Sequence, residues 1–165
     1  MKQVSHVFQY EVYESPEDLP ETDRNLMLIA ANAVLSSHAP YSGFNVGAAV
    51  LLENGKIFTG SNQENMSYPA GICAERVAVF AAMSSCPDSP IKTLAITARA
   101  ASYPVSEPVP PCGMCRQAIL EYEMKFSNRI RIILRGSEGP VYIIHGMSDL
   151  LPLKFHEKGL FKTTE

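Results

Sequence analysis

Cys73-Ala74-Glu75-Arg76-Val77-Ala78-Val79-Phe80-Ala81-Ala82-Met83-Ser84 is the stretch that decides the fold. It has the periodicity of a buried helix, and its Ala and Val content suits close packing against a sheet. The flanking segments supply that sheet. Upstream, Val46 to Leu52 is rich in strand formers, Asn54-Gly55 is a strong hairpin signal, and Ile57-Phe58-Thr59 returns as the partner strand. Asn62 to Ile72 contains Pro69 and Gly71 and reads as a loop. Downstream, Thr93 to Ala98 reads as a central strand, and residues 99–111, with four prolines, as a loop. Cys112 to Lys125 reads as a second helix entered through Pro110 and Pro111. Ile130 to Leu134 and Val141 to Ile144 are two more strands, and Leu150 to Phe155 is a final apolar segment around Pro152.

Toward the N-terminus, Leu26, Ile29, Ala30, Ala33 and Val34 recur at helical spacing. They predict a core-facing helix over residues 23–37, capped by Thr22 and with Asp23 in its first turn. Phe8, Tyr10 and Val12 alternate with Gln9 and Glu11 as in a half-buried strand, followed by a loop at residues 15–20. Residues 1–22 therefore read as an N-terminal extension and residues 23–165 as one domain. The charged tail from Glu157 reads as solvated. The order of elements predicts a layered α/β domain around a mixed sheet of about five strands.

Composition narrows the function classes. A chain of 165 residues buries roughly 70% of the surface its unfolded form exposes, enough for a core without disulfides. No apolar run approaches ~18 residues, and the N-terminus has no signal-peptide core, so the expectation is a cytoplasmic protein. The net charge of −3, with no Lys/Arg cluster, argues against nucleic acid and for a small substrate.

Chemistry concentrates in Cys73-Ala74-Glu75 and Pro111-Cys112-Gly113-Met114-Cys115. Cys112 and Cys115 stand at i and i+3 in the first turn of one expected helix, and Cys73 opens the other. Helix N-termini favour thiolates, the form that binds metal. Three thiolates suit Zn²⁺, one ion per subunit, with a fourth position left to water as in catalytic rather than structural sites. Cys86 lies too far along its helix, about 20 Å from Cys73, to be the fourth ligand. Three thiolates leave a negative centre, so Arg76 or Arg116 is expected to donate hydrogen bonds to the sulfurs. Glu75 is expected to move protons rather than bind metal, taking one from a water and returning it later in the reaction. A redox Cys-x-x-Cys would leave Cys73-Ala74-Glu75 unexplained, and a purely structural zinc lacks a fourth ligand.

At these residues the chain resembles the small homotetrameric cytidine deaminases. The likeness runs from Tyr41-Ser42-Gly43-Phe44-Asn45-Val46-Gly47-Ala48-Ala49 through Gly60-Ser61-Asn62-Gln63-Glu64-Asn65. It continues through Tyr68 to Arg76, Pro111 to Gln117, and Leu150-Leu151-Pro152 with Phe155. The resemblance implies a three-layer α/β/α fold with helices on both faces of the sheet. It implies hydrolysis of cytidine and deoxycytidine to uridine and deoxyuridine, with release of ammonia, in pyrimidine salvage. Asn62 and Glu64 match the residues that bind the ribose hydroxyls, Phe44 the aromatic packed on the pyrimidine, and Ala74 a backbone contact to the base edge. Tyr68 and Phe155 match residues contributed by neighbouring subunits, which implies a homotetramer with shared sites. Met66 and Lys154 depart from the common pattern. Two other readings remain at this point: a related amine-bearing substrate, or a zinc-stabilised binding module without turnover.

Overall fold

The computed structural model describes residues 1–156. The tail from residue 157, expected to be solvated, lies outside the described residues. Among the described residues one mixed sheet has the strand order β1-β6-β5-β4-β2-β3. The strands are β1 (Glu11–Tyr13), β2 (Phe44–Leu52), β3 (Ile57–Ser61), β4 (Ile91–Ala100), β5 (Arg131–Arg135) and β6 (Val141–Ile144). Only β4 and β5 run parallel. Their connection passes through α3 (Gly113–Phe126), as a parallel crossover requires.

Residue alternation explains the three layers. Along β2, Ala48, Val50 and Leu52 enter one core, while Ala49 and Leu51 enter the other. Likewise Leu94 and Ile96 oppose Ala95 on β4, and Ile132 and Leu134 oppose Ile133 on β5. The larger core is closed by α2 (Ala74–Ser85) and α3, and the smaller by α1 (Glu21–Ala33). Both faces of the central strands are thus dry, which is why their sequences read as apolar runs rather than as alternating ones. This is the expected α/β/α architecture.

Gly60 on β3 sets how closely α2 approaches the sheet. A Cβ there would meet the Ala74 carbonyl oxygen at 2.4 Å and the Ala78 nitrogen at 2.5 Å. The first turn of α2, carrying Glu75, is seated directly on that glycine. In the hairpin, Gly55 takes φ +82° and closes the turn expected from Asn54-Gly55.

The sheet, expected to have about five strands, has six, because β1 from the extension pairs antiparallel with β6. Three local expectations are corrected. The strand expected at residues 8–12 is only Glu11–Tyr13, since Phe8 would fall opposite Gly146, beyond the end of β6. Phe8 instead stacks on Tyr10, and Tyr10 tilts against Tyr142. Thr22 does not cap α1. The helix starts at Glu21 behind Pro20, whose carbonyl accepts from the Arg24 amide at 3.0 Å. The proline's fixed φ pre-organises that entrance, and Thr22 falls inside the first turn. The helix also ends at Ala33 and tightens into a 3₁₀ turn over Val34–Ser36. Leu19, within the extension, is buried in the smaller core beside Leu26 and Met27. Among the described residues no helix is long and apolar enough to cross a membrane.

Candidate metal centre and cleft

Cys73 and Cys112 are the N-cap residues of α2 and α3, and Cys115 is the third residue of α3. The helix therefore begins one residue later than expected, and Cys112 is not in its first turn. Its extended backbone (φ −65°, ψ 165°) precedes the helical run. The two helix starts converge, so the three sulfurs lie within 4.8 Å of one another. Among the described residues no fourth His, Cys, Asp or Glu belongs to this group. Cys86 caps the opposite end of α2.

The electrostatics suit a cation. Hydrogen bonding from Cys115, then from Arg76 and Cys112, holds the Cys73 thiol down to about 5 against the opposing effect of burial. Cys115 is pushed up, first by donating to Cys73 and then by burial. The opposite shifts are one hydrogen bond read from its two ends, a proton shared within the sulfur group. A metal displaces that proton. Arg76 lies against Cys73 and Cys115, and among the described residues its buried Nε has no partner meeting hydrogen-bond geometry. An orphaned cationic N–H beside two of the three sulfurs fits a site built to hold thiolates rather than thiols.

Arg116, the other candidate, goes elsewhere. Its Nε donates to the Pro111 carbonyl at 2.8 Å and its Nη1 to the Leu150 carbonyl at 2.9 Å. Of the two arginines, Arg76 is the one placed against the sulfurs.

Glu75 is 5% exposed, and burial raises its carboxyl above the ordinary range; the negative Cys73 adds to the rise. Hydrogen bonds from its own backbone amide and from Cys115 oppose this. A carboxyl that holds its proton more readily than usual is better suited than an ordinary one both to accept a proton and to return it.

Beside the sulfurs opens a cleft of about 490 Å³, lined by Tyr41, Ser42, Asn62, Glu64, Tyr68 and Cys73, among others. The isolated bridges His38–Gln63 and Gln63–Ile72 hold the loop that carries Asn62 and Glu64. Asn62 Oδ1 accepts from the Val46 amide at 2.8 Å, and its Nδ2 donates to the Phe44 carbonyl at 2.9 Å. Glu64 Oε2 accepts from the amides of Tyr41 at 2.9 Å and Ser42 at 3.2 Å. The Ser42 hydroxyl donates to Glu64 Oε1. That hydroxyl, followed by the two amides, holds the Glu64 carboxyl below the usual carboxylate range.

Phe44, Ala74, Glu75 and Phe155 do not line this cleft. Phe44 stands at the start of β2 beside it, and Ala74 and Glu75 follow Cys73. Tyr68 packs edge-on against Tyr41 and is 77% exposed. Phe155 is 72% exposed, and its carbonyl accepts from Gln117 Nε2. Sequence reasoning assigns no role to Tyr41 or Ser42. The available signal is a hydroxyl residue just before Gly43, in a turn close to a carboxylate loop.

Residues 20–127 match the family model described as the cytidine and deoxycytidylate deaminase zinc-binding region, and the chain belongs to that family. Within it, the similar chains are cytidine deaminases. The enzyme of Halalkalibacterium halodurans is 40% identical over 134 residues, covering 81% of this chain and 94% of the relative. That of Mycobacterium tuberculosis is 38% identical over 105 residues, covering 63% of this chain and 74% of the relative. The crystal structure of the cytidine deaminase from Burkholderia pseudomallei superimposes with a TM-score of 0.70 at 33% identity. It covers 83% of this chain and 100% of that one.

Proposed function

We propose that this protein hydrolyses cytidine and deoxycytidine to the corresponding uridines and ammonia, as an enzyme of pyrimidine salvage. The observation that carries the reading is a three-sulfur group without a fourth protein ligand among the described residues, next to a buried carboxyl and a cleft. Cys73, Cys112 and Cys115 would hold one Zn²⁺ per subunit. Bound there, the metal supplies a Lewis acid that activates water for attack on C4 of the base.

The protein's own groups do the rest. Glu75 accepts a proton from the attacking water, delivers it to N3 and helps the amine depart as ammonia. Arg76 offsets the negative charge of the sulfurs. Phe44 packs on the pyrimidine, and the Ala74 backbone meets its edge. Asn62 and Glu64 bind ribose hydroxyls, which favours nucleosides over the free base.

Exposure of Phe155, which lies outside its own chain's cleft, and of Tyr68, at the rim of its own, supports a homotetramer in which neighbours supply these rings to each other's clefts. In this reading residues 23–165 form the catalytic domain, and residues 1–22 extend one edge of its sheet. A net charge of −3 fits a cytoplasmic enzyme acting on a small nucleoside rather than on nucleic acid.

The test is a nucleoside panel on purified protein with zinc content measured, beside the Glu75→Gln variant. The expected outcome is one zinc per chain in both, with turnover reduced about 10²–10⁴-fold in the variant. A zinc-loaded protein that turns over no cytosine nucleoside would sink the reading.

A further inference from the structure

We propose that Ser42 is a positioning residue for nucleoside recognition, its hydroxyl locking the Glu64 carboxylate to the backbone of Phe44. The inference rests on the roles given above to Glu64 and Phe44.

The hydrogen bonds form a closed circuit. Ser42 Oγ donates to Glu64 Oε1 and accepts from the Phe44 amide at 3.0 Å. The Phe44 carbonyl accepts from Asn62 Nδ2 at 2.9 Å. Asn62 and Glu64 stand two residues apart on one loop, which brings the circuit back to Ser42. Both backbone polar groups of Phe44 are thus held by residues that line the cleft. A serine hydroxyl can close this circuit because it donates once and accepts twice. Alanine can do neither.

Two consequences follow. Without any ligand, Glu64 already accepts three hydrogen bonds, so its carboxylate is set before a nucleoside arrives. A carboxylate offers about four lone-pair positions, which leaves about one for a ribose hydroxyl. Glu64 therefore takes a single hydroxyl, in a fixed direction. Asn62, with one N–H and one lone pair uncommitted, faces whatever else the sugar presents. The distance between the sugar-binding carboxylate and the base-packing ring is fixed by the same hydroxyl. Ser42 is exposed, so its loss removes this coupling without opening a core cavity.

The experiment compares steady-state kcat and KM of the zinc-loaded full chain with its Ser42→Ala, Ser42→Thr and Glu64→Ala variants. The substrates are cytidine and 2′,3′-dideoxycytidine, which lacks both secondary ribose hydroxyls and so the one that Glu64 would accept. Ser42→Ala is expected to raise KM for cytidine about 10-fold, in line with loss of one charge-assisted hydrogen bond. Its kcat should stay within about twofold, and its KM for the dideoxy analogue, which keeps only the contact to the Phe44 ring, should rise clearly less than that for cytidine. Ser42→Thr, which keeps the hydroxyl, should restore cytidine KM. In the Glu64→Ala background, removing the Ser42 hydroxyl should add little.

An unchanged cytidine KM in Ser42→Ala overturns the proposal, as does an equal rise for both substrates, which would mark general loosening of the loop. If Glu64→Ala itself leaves cytidine KM unchanged, the ribose reading of Glu64 falls, and the proposal with it. A KM effect in Glu64→Ala but none in Ser42→Ala removes the proposal alone.

Discussion

Cys73 Sγ lies 4.0 Å from Cys112 Sγ, although 39 positions separate the two residues. Each is the residue just before a helix, and the starts of α2 and α3 converge on the same face of the sheet. Cys112→Ser removes one of three sulfurs from a group that has no spare ligand among the described residues. The variant should lose bound zinc and at least about 10²-fold in turnover while keeping its fold. Metal analysis after gel filtration checks this. Retention of one zinc per chain would mean that the metal is held in some other way.

Gly60→Ala acts from the opposite side of α2. The added Cβ would meet backbone atoms of Ala74 and Ala78, not flexible side-chain ends. The helix must move off the sheet, and Cys73 and Glu75 must move with it. Overpacking of this kind costs about 1–3 kcal/mol. Denaturant unfolding should show the loss, and kcat should fall more than KM changes. A variant of unchanged stability and kcat would show that α2 is not seated by this contact.

Arg116→Met tests the strut that this arginine forms between two backbone segments. Two guanidinium bonds join the Pro111 carbonyl, just before Cys112, to the Leu150 carbonyl, five residues before Phe155. Their removal should lower stability by about 2 kcal/mol. Freed from its anchor, the Pro111-Cys112 turn should release zinc faster to a chelator. A release rate equal to that of the parent protein would confine Arg116 to a purely structural role.

Acid should loosen β1 before the rest of the sheet. Glu11 on β1 pairs with His145, just past β6. That hydrogen bond, aided by one from Tyr13, holds the Glu11 carboxyl below its ordinary value of 4.5. A depressed carboxylate contributes stability that is complete above 4.5 and is lost as pH falls through its lower native value. Both partners are about half exposed, so the contribution is screened and stays below about 1 kcal/mol. The protection of the β1 amides, measured against their intrinsic exchange rate at each pH, should fall in that acid window. Glu11→Gln should show the lower protection already at neutral pH. Protection that stays constant through the window in the parent protein would rule the pair out as a clamp.

Much of this molecule is legible in one dimension because its signals are local. Periodicity marks α2 and α3, and Asn54-Gly55 marks the hairpin, since turn chemistry acts within a few residues. The errors also have physical causes. Thr22 is a good capping residue in isolation, but Pro20 already fixes the entrance to α1, so the helix begins before the threonine. The strand expected at residues 8–12 is displaced because a strand extends only as far as its partner does, and β6 has four residues.

Arg116 shows the harder limit. Its place next to a ligand cysteine suggests a sulfur contact. The helix instead turns its guanidinium toward two backbone carbonyls that no spacing rule brings together. Ser42 is a similar case, since its partner Glu64 lies 22 positions away.

By itself the sequence determined the layered α/β architecture, the three cysteines and the neighbouring glutamate, because residue type and short spacing carry that information. Only the tertiary structure decided that the sulfurs meet within 4.8 Å and that Arg76 rather than Arg116 faces them. It also tied Ser42, Phe44, Asn62 and Glu64 into one circuit. These facts depend on how two helices and two loops are packed against a shared sheet. That packing is set by contacts between residues far apart in the chain, which local chemistry does not encode.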